Sequence, residues 1–205
     1  MMRIGIVNYD MGNLASVQNA FETIGIKTQI QTDPSKLLEC DKLILPGVGA
    51  FGDAMKNLES TGMKEAVLAF AQSGRYILGI CLGMQLLFDK SEEFGEHKGL
   101  GLIAGEVVRF QTPHLKVPHM GWNQCHFSEN ASEHPLLKNI QNQTYLYFVH
   151  SYHARCDDAR TILASCVYED TFPAIVAKNN ILGIQPHPEK SHNEGLKILK
   201  NFANL

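Results

Sequence analysis

Over the first eighty residues, short apolar runs alternate with stretches in which apolar positions recur every three or four residues. Residues 3–8, built on IGIV, are too short and too β-branched for a helix and read as a buried strand. A helix is expected from about Leu14, with Asn13 as its N-cap and Gly25 as its stop. Residues 27–31 form a second expected strand, and Asp33-Pro34 opens a short helix, a capping residue followed by proline at the first helical position. Residues 42–45 read as a third strand ending at Pro46 and a glycine-rich loop. Helical periodicity covers residues 53–59 and 63–72, with Gly74 closing the second run. Residues 76–80 are almost wholly apolar, as a central parallel strand should be.

Beyond Gly99 the texture changes to many short strands, at residues 106–110, 124–127, 145–149, 162–167, 174–177 and 181–185, with Asn179-Asn180 as a tight turn between the last two. Ser191-x-x-Glu194 before GLKILKNF reads as a capping box opening a final helix. The expectation is an α/β fold. A mostly parallel, doubly wound central sheet is flanked by helices and extended by antiparallel strands in the second half. Without a repeat, low-complexity run or long linker, residues 1–205 read as one domain.

Composition narrows the function classes. The 18 basic and 21 acidic residues give a net charge of −3, and no run of five like charges suggests a nucleic-acid groove or an anionic membrane surface. The first apolar run meets Asn8 and Asp10 too soon for a signal peptide. The longest uncharged stretch, residues 76–88, is short of the roughly 18 residues a membrane span needs. Five cysteines without a CxxC fit a reducing cytoplasm, and each is by default a small buried hydrophobe.

Cys81 departs from that default. Gly79-Ile80-Cys81-Leu82-Gly83 has the form glycine, x, nucleophile, x, glycine, where a strand ends and a helix (LGMQLLF) begins. A side chain on such a turn stands above the sheet, and the helix N-terminus favours thiolate. A thiolate nucleophile needs a base, and the base needs a group to orient it. His187 and Glu189, two apart in an extended, proline-stiffened segment after a strand, supply both. Residues 46–52, PGVGAFG, contain a formal G-x-G-x-x-G, but two helical runs follow before the next strand, which fails the dinucleotide pattern. Backbone N–H groups near Val48 and Gly49, with that of Leu82, are instead expected to face a developing oxyanion. Nine histidines raise the question of a metal. His150 and His153, three apart in a strand-like stretch, are expected on opposite faces, and no HExxH occurs, so no metal or other cofactor is expected.

GICLGMQLLF, PGVGAFGDAM and HPEKS together resemble class I glutamine amidotransferases of the triad type, and the likeness runs over essentially the whole chain. IVNYDMGNLASV, VPHMGWN and YFVHSYHA look, within that family, like the glutaminase subunits of imidazole glycerol phosphate synthases. The resemblance implies a flavodoxin-like amidotransferase fold and a triad of Cys81, His187 and Glu189. It further implies glutamine-binding positions at Gly49, Gln85, Glu93, Ser151 and Tyr152. L-glutamine would be hydrolysed, and its ammonia passed to a TIM-barrel cyclase subunit in a heterodimer, with Pro118, Met120 and Trp122 in the interface segment. One departure is Pro186, where the family usually has a bulky aromatic before the histidine. Three other readings remain open at this point: a paralogue feeding another synthase, such as one that amidinates a sugar, a non-catalytic regulator, and a redox sensor built on Cys81.

Overall fold

The computed structural model describes residues 2–131 and 133–205. In chain order, β1 (Ile4–Val7), α1 (Leu14–Thr23), β2 (Thr28–Gln31), α2 (Pro34–Leu37), β3 (Lys42–Leu45), α3 (Phe51–Ser60), α4 (Met63–Gln72) and β4 (Ile77–Ile80) follow the expected rhythm closely. Asn13 caps α1 through Ser16 N–H at 3.2 Å, and Asp33 caps α2 through Ser35 N–H at 2.9 Å. Each caps a donor that has no intrahelical acceptor.

The next stretch departs from expectation. The helix after Cys81, α5, stops at Gln85 (Leu82–Gln85) instead of running through LGMQLLF. The carbonyls of Leu86 and Leu87 accept from Leu100 and Leu102 at 2.9 and 2.8 Å, so the apolar run leaves the helix for β5 (Phe88–Ser91). A continuous apolar run carries no period, and long-range pairing decides its state. The two-residue β6 (His97–Lys98) and then β7 (Ile103–Arg109) follow. β8 spans His119–Phe127, five residues earlier than its apolar pattern indicates, because HMGWN offers no clean alternation. β9 (Thr144–His150) and β10 (Tyr152–Cys156) are separated by Ser151 alone. β11 (Ile162–Tyr168), β12 (Asp170–Lys178), β13 (Ile181–Ile184) and α6 (His192–Ala203) complete the chain.

The main sheet has nine strands in the order β2-β1-β3-β4-β13-β12-β11-β8-β9. From β2 to β13 every pair is parallel, and from β13 outward every pair is antiparallel. The Asn179-Asn180 turn joins β12 to β13, which thereby lies beside β4 and belongs to both regimes. A second sheet, β10-β7-β5-β6, gathers three strands that the sequence pattern leaves unseen, β5, β6 and β10, around β7, which is expected at residues 106–110. Successive residues of the parallel strands enter two apolar layers. Ile4, Ile6, Ile44, Leu78 and Ile80 join one with Phe21 and Phe202, while Val7, Leu43, Leu45 and Ile77 join the other with Phe51 and Phe70. With helices on both faces, nothing along these strands is left for chemistry, and a site can form only at their carboxyl ends.

The final helix begins at His192 without the expected capping box. The Ser191 hydroxyl donates to His187 O at 2.6 Å and accepts from Tyr147 N–H at 2.9 Å, and Glu194 pairs with Lys197. Among the described residues no helix is long and apolar enough to cross a membrane.

Candidate active site

The carboxyl ends of β3, β4 and β13 converge on a cleft of about 350 Å³. Cys81, at the end of β4, has φ 54° and ψ −112° and is 7% exposed. Its N–H still belongs to the sheet, donating to Ile184 O at 2.8 Å, while its carbonyl already accepts from Gln85 N–H in α5 at 3.2 Å. One residue thus turns strand into helix, and the turn holds a strained backbone of the kind that costs about 1–3 kcal/mol. Its glycines are required for space. A Cβ on Gly83 would lie 1.8 Å from Leu45 O, and one on Gly79 would lie 2.6 Å from Gly83 O. The four-residue α5 contributes less dipole than a full helix, so the electrostatics at Cys81 depend mainly on what faces it.

What faces it is His187. The backbone of His187 is pinned by its N–H to Tyr147 O at 2.8 Å and by Ser191 on its carbonyl. Its Nδ1 meets Glu189 Oε1 at 2.7 Å, and its ring lines the same cleft as Cys81, close enough for the two side chains to act on each other's charge. Burial by itself pushes this imidazole down, but hydrogen bonds and charge from Cys81 and Glu189 outweigh it and raise the ring to about 10. A protonated imidazole beside a sulfur and backed by a carboxylate is placed to hand a proton to a group leaving from that sulfur's substrate. The segment is not extended throughout, as the sequence suggested. His187 is, but Pro188–Lys190 forms a 3-10 turn, and that turn folds Glu189 back beneath the ring. Pro186 is buried and leaves the hydrogen bonds of its neighbours, Gln185 N–H to Ala174 O and His187 N–H to Tyr147 O, intact.

Val48, Gly49, Leu82, Gln85, Glu93, Ser151 and Tyr152 line the same cleft, with Pro118 at its rim. Glu189 does not line it but lies behind His187, its side chain 2% exposed. Gly49 has φ +99°, a region in which a side chain is strained, so the peptide joining it to Val48 sits in a conformation open mainly to glycine. Tyr9 braces this loop from below, donating to Pro46 O at 2.7 Å, and burial first, then the nearby Cys81, raises its phenol. Glu93 accepts from Phe51 N–H at 2.7 Å at the start of α3, and burial raises its carboxyl. Both amide protons of Gln85 are committed, to Tyr152 O at 2.9 Å and Gln185 Oε1 at 3.0 Å, so toward the cleft Gln85 offers only an acceptor.

Met120 and Trp122 lie outside the cleft, 63% and 44% exposed on one face of β8, and Trp122 stacks on His192 with ring centroids 4.9 Å apart. The expectation for His150 and His153 is corrected. Both rings are buried against Phe110 and Phe172, because Ser151 breaks the strand between them and resets the alternation. Sequence reasoning also missed Gln185, Ser191, Tyr9 and His150 as parts of the site. No spacing pattern points any of them to this chemistry: Ser191 reads as a helix cap and His150 as one of a histidine pair, though Gln185 and Ser191 flank the HPEK string.

The glutamine amidotransferase class-I family model matches residues 6–205. The imidazole glycerol phosphate synthase subunit HisH of Sulfurimonas denitrificans is 61% identical over 98% of this chain and 97% of its own length. The protein of the same name from Wolinella succinogenes is 54% identical over 98% and 99%, and that from Helicobacter hepaticus 50% over 100% and 99%. Among solved structures, PurLQS from Thermotoga maritima superposes with a TM-score of 0.77 at 20% identity, covering 99% of this chain and 98% of that one. The acivicin-bound glutaminase domain of Trypanosoma brucei CTPS gives 0.69 at 19% identity, covering 100% and 94%. These two likenesses concern the fold.

Proposed function

The chain belongs to the class I glutamine amidotransferases, and from that premise we propose that it hydrolyses L-glutamine at Cys81. We further propose that it delivers the ammonia to the cyclase subunit of an imidazole glycerol phosphate synthase, in histidine biosynthesis. The carrying observation is Cys81 and His187 together in one cleft, with Glu189 bonded to the far side of the His187 ring. Relatives that share half or more of their residues over nearly their whole length support the choice of synthase over a paralogue feeding a different acceptor.

In this reading Cys81 Sγ attacks the carboxamide carbon of glutamine. The carbon–oxygen double bond opens to an oxyanion, which the N–H groups near Val48 and Gly49 and that of Leu82 stabilise. His187 gives its proton to the amide nitrogen as the carbon–nitrogen bond breaks, so ammonia leaves and a γ-glutamyl thioester remains. His187, now neutral, takes a proton from water as that water attacks the thioester, and glutamate departs with Cys81 restored. Glu189 orients the ring throughout. Gly49, Gln85, Glu93, Ser151 and Tyr152 would hold the amino-acid end of the substrate.

The partner is read as a TIM-barrel cyclase docking over Pro118, Met120 and Trp122 to form a heterodimer. An exposed tryptophan beside a methionine on a rigid strand is a suitable anchor. The whole chain would act as one domain, and five free cysteines accord with the reducing cytoplasm. The test is a glutaminase assay of the chain alone and with a cyclase partner and its ligand. Turnover should be low alone and rise sharply in the complex. Cys81→Ala should abolish it while synthesis from added ammonium salt survives. Glutamine hydrolysis at the parent rate in that variant would refute the assignment.

A further inference from the structure

Two buried histidines beside the cleft are not used in the chemistry above. His119 Nδ1 lies 3.0 Å from His150 Nε2, His119 Nε2 lies 3.3 Å from Asn123 Nδ2, and His150 Nδ1 lies 2.8 Å from Tyr152 O. Phe110, Phe148, Tyr168 and Phe172 enclose the pair, with His119 stacked between Phe148 and Tyr168 at 5.0 and 4.1 Å. Burial pushes His119 down to about 4 and His150 to about 3, so both rings are neutral at pH 7, each with one donor and one acceptor.

Only one assignment of protons then fits. Tyr152 O can only accept, so His150 carries its proton on Nδ1 and its Nε2 accepts. His119 therefore carries its proton on Nδ1, and its Nε2 accepts from the Asn123 amide. The same Tyr152 O accepts a second hydrogen bond from Gln85, whose other amide proton goes to Gln185 Oε1, and Gln185 Nε2 is 3.7 Å from Cys81 Sγ. The arrangement runs without a gap from a side chain on β8 to the nucleophilic sulfur.

We propose that His119 and His150 are positioning residues for the reaction at Cys81, fixing the Tyr152 carbonyl and thereby the Gln85 and Gln185 amides, the last of which donates to the sulfur. The proposal rests on the glutaminase reading. Its geometry also accounts for the fully buried Gln185, an expensive residue to enclose unless both ends of its amide are engaged. β8 presents two faces: His119 and Asn123 point into this chain of bonds, while Met120 and Trp122 face outward. A protein pressing on the outer face therefore bears on a strand that is hydrogen-bonded, through His119, His150, the Tyr152 carbonyl, Gln85 and Gln185, to the Cys81 sulfur.

The experiment is glutaminase kinetics of the complex with its cyclase partner, for His150→Leu, His150→Asn, His119→Leu and Gln185→Leu, alongside the rate at which iodoacetamide alkylates Cys81 at fixed pH. His150→Leu should lower kcat/KM by about 10- to 100-fold, the cost of a small misplacement of reacting groups. His150→Asn, whose amide can still donate to Tyr152 O, should recover most of that loss. His119→Leu should cost several-fold in the parent and nothing further in the His150→Asn background, where its link is already gone. Gln185→Leu should slow Cys81 alkylation about tenfold. Parent kinetics in His150→Leu, or equal losses in the Leu and Asn variants, would overturn the proposal. If His150→Leu does not fold, additive losses from His119→Leu in the two backgrounds would overturn it instead. Cys81→Ala separates the two levels: if it is inactive while the histidine variants behave as the parent, only this proposal fails.

Discussion

Strands β1, β3 and β4 are four residues long and buried at every position, whereas β8 and β9, over nine and seven positions, mix buried with half-buried and exposed residues. The first group lies between two helical layers and can act only at its ends, which is where Cys81 and the loop of residues 46–49 emerge. The second group has a free face. It supports His187 through Tyr147, encloses His119 and His150 on one side and presents Met120, Trp122 and Tyr145 on the other. A strand buried on both faces gives precision at a point, and a strand with one open face can couple a surface to a site.

That contrast can be attacked first where it is sharpest. Gly83→Ala sets a Cβ against Leu45 O in the tightly packed half, and we expect a loss of about 4 kcal/mol or more, read as a collapse of the guanidinium midpoint. A loss under about 1 kcal/mol would mean that the nucleophile turn relaxes freely. The antiparallel half should instead reveal itself by titration. His150 is held well below its ordinary value, so its contribution is present above about pH 6.5 and declines as pH falls toward about 3. By pH 4.5 this is a loss of about 3 kcal/mol, and His150→Asn should flatten that part of the acid profile in denaturation measurements. An identical acid slope in the variant would show that the ring is not buried neutral. His187 has the opposite sign, for its raised value means a contribution present below about pH 6.5 and lost as pH rises through about 10.

A smaller effect tests the open face. Trp122→Ala should weaken cyclase binding by about 10- to 100-fold in calorimetry and leave the melting temperature nearly unchanged, as befits a half-exposed residue. A large drop in stability with unaltered binding would turn the face into ordinary packing. Smallest of all, Asn13→Ala removes the cap of α1 and should cost about 1 kcal/mol by urea titration, without altering turnover. An activity loss there would mean that the parallel half reaches the site through more than its strand ends.

Most of the parallel half was legible in the residues alone. β3 coincides with its expected bounds, the caps at Asn13 and Asp33 are where the side chains indicate, and the glycines around Cys81 announce a turn that only they permit. These features are local, set by period, capping and steric space within a few residues. The shortened α5, the strands β5, β6 and β10, the diversion of Ser191 from its helix to His187, and the Gln85–Gln185 bridge to Cys81 were decided elsewhere. They depend on hydrogen bonds that the local pattern does not announce, some between neighbours, as Ser191 to His187, and others across long stretches of chain, 44 residues for Ser191 and Tyr147 and 104 for Gln185 and Cys81. The amino-acid order determined which residues were able to react. The fold determined which of them meet, because burial leaves every polar group in the cleft dependent on whatever neighbour the packing brings to it.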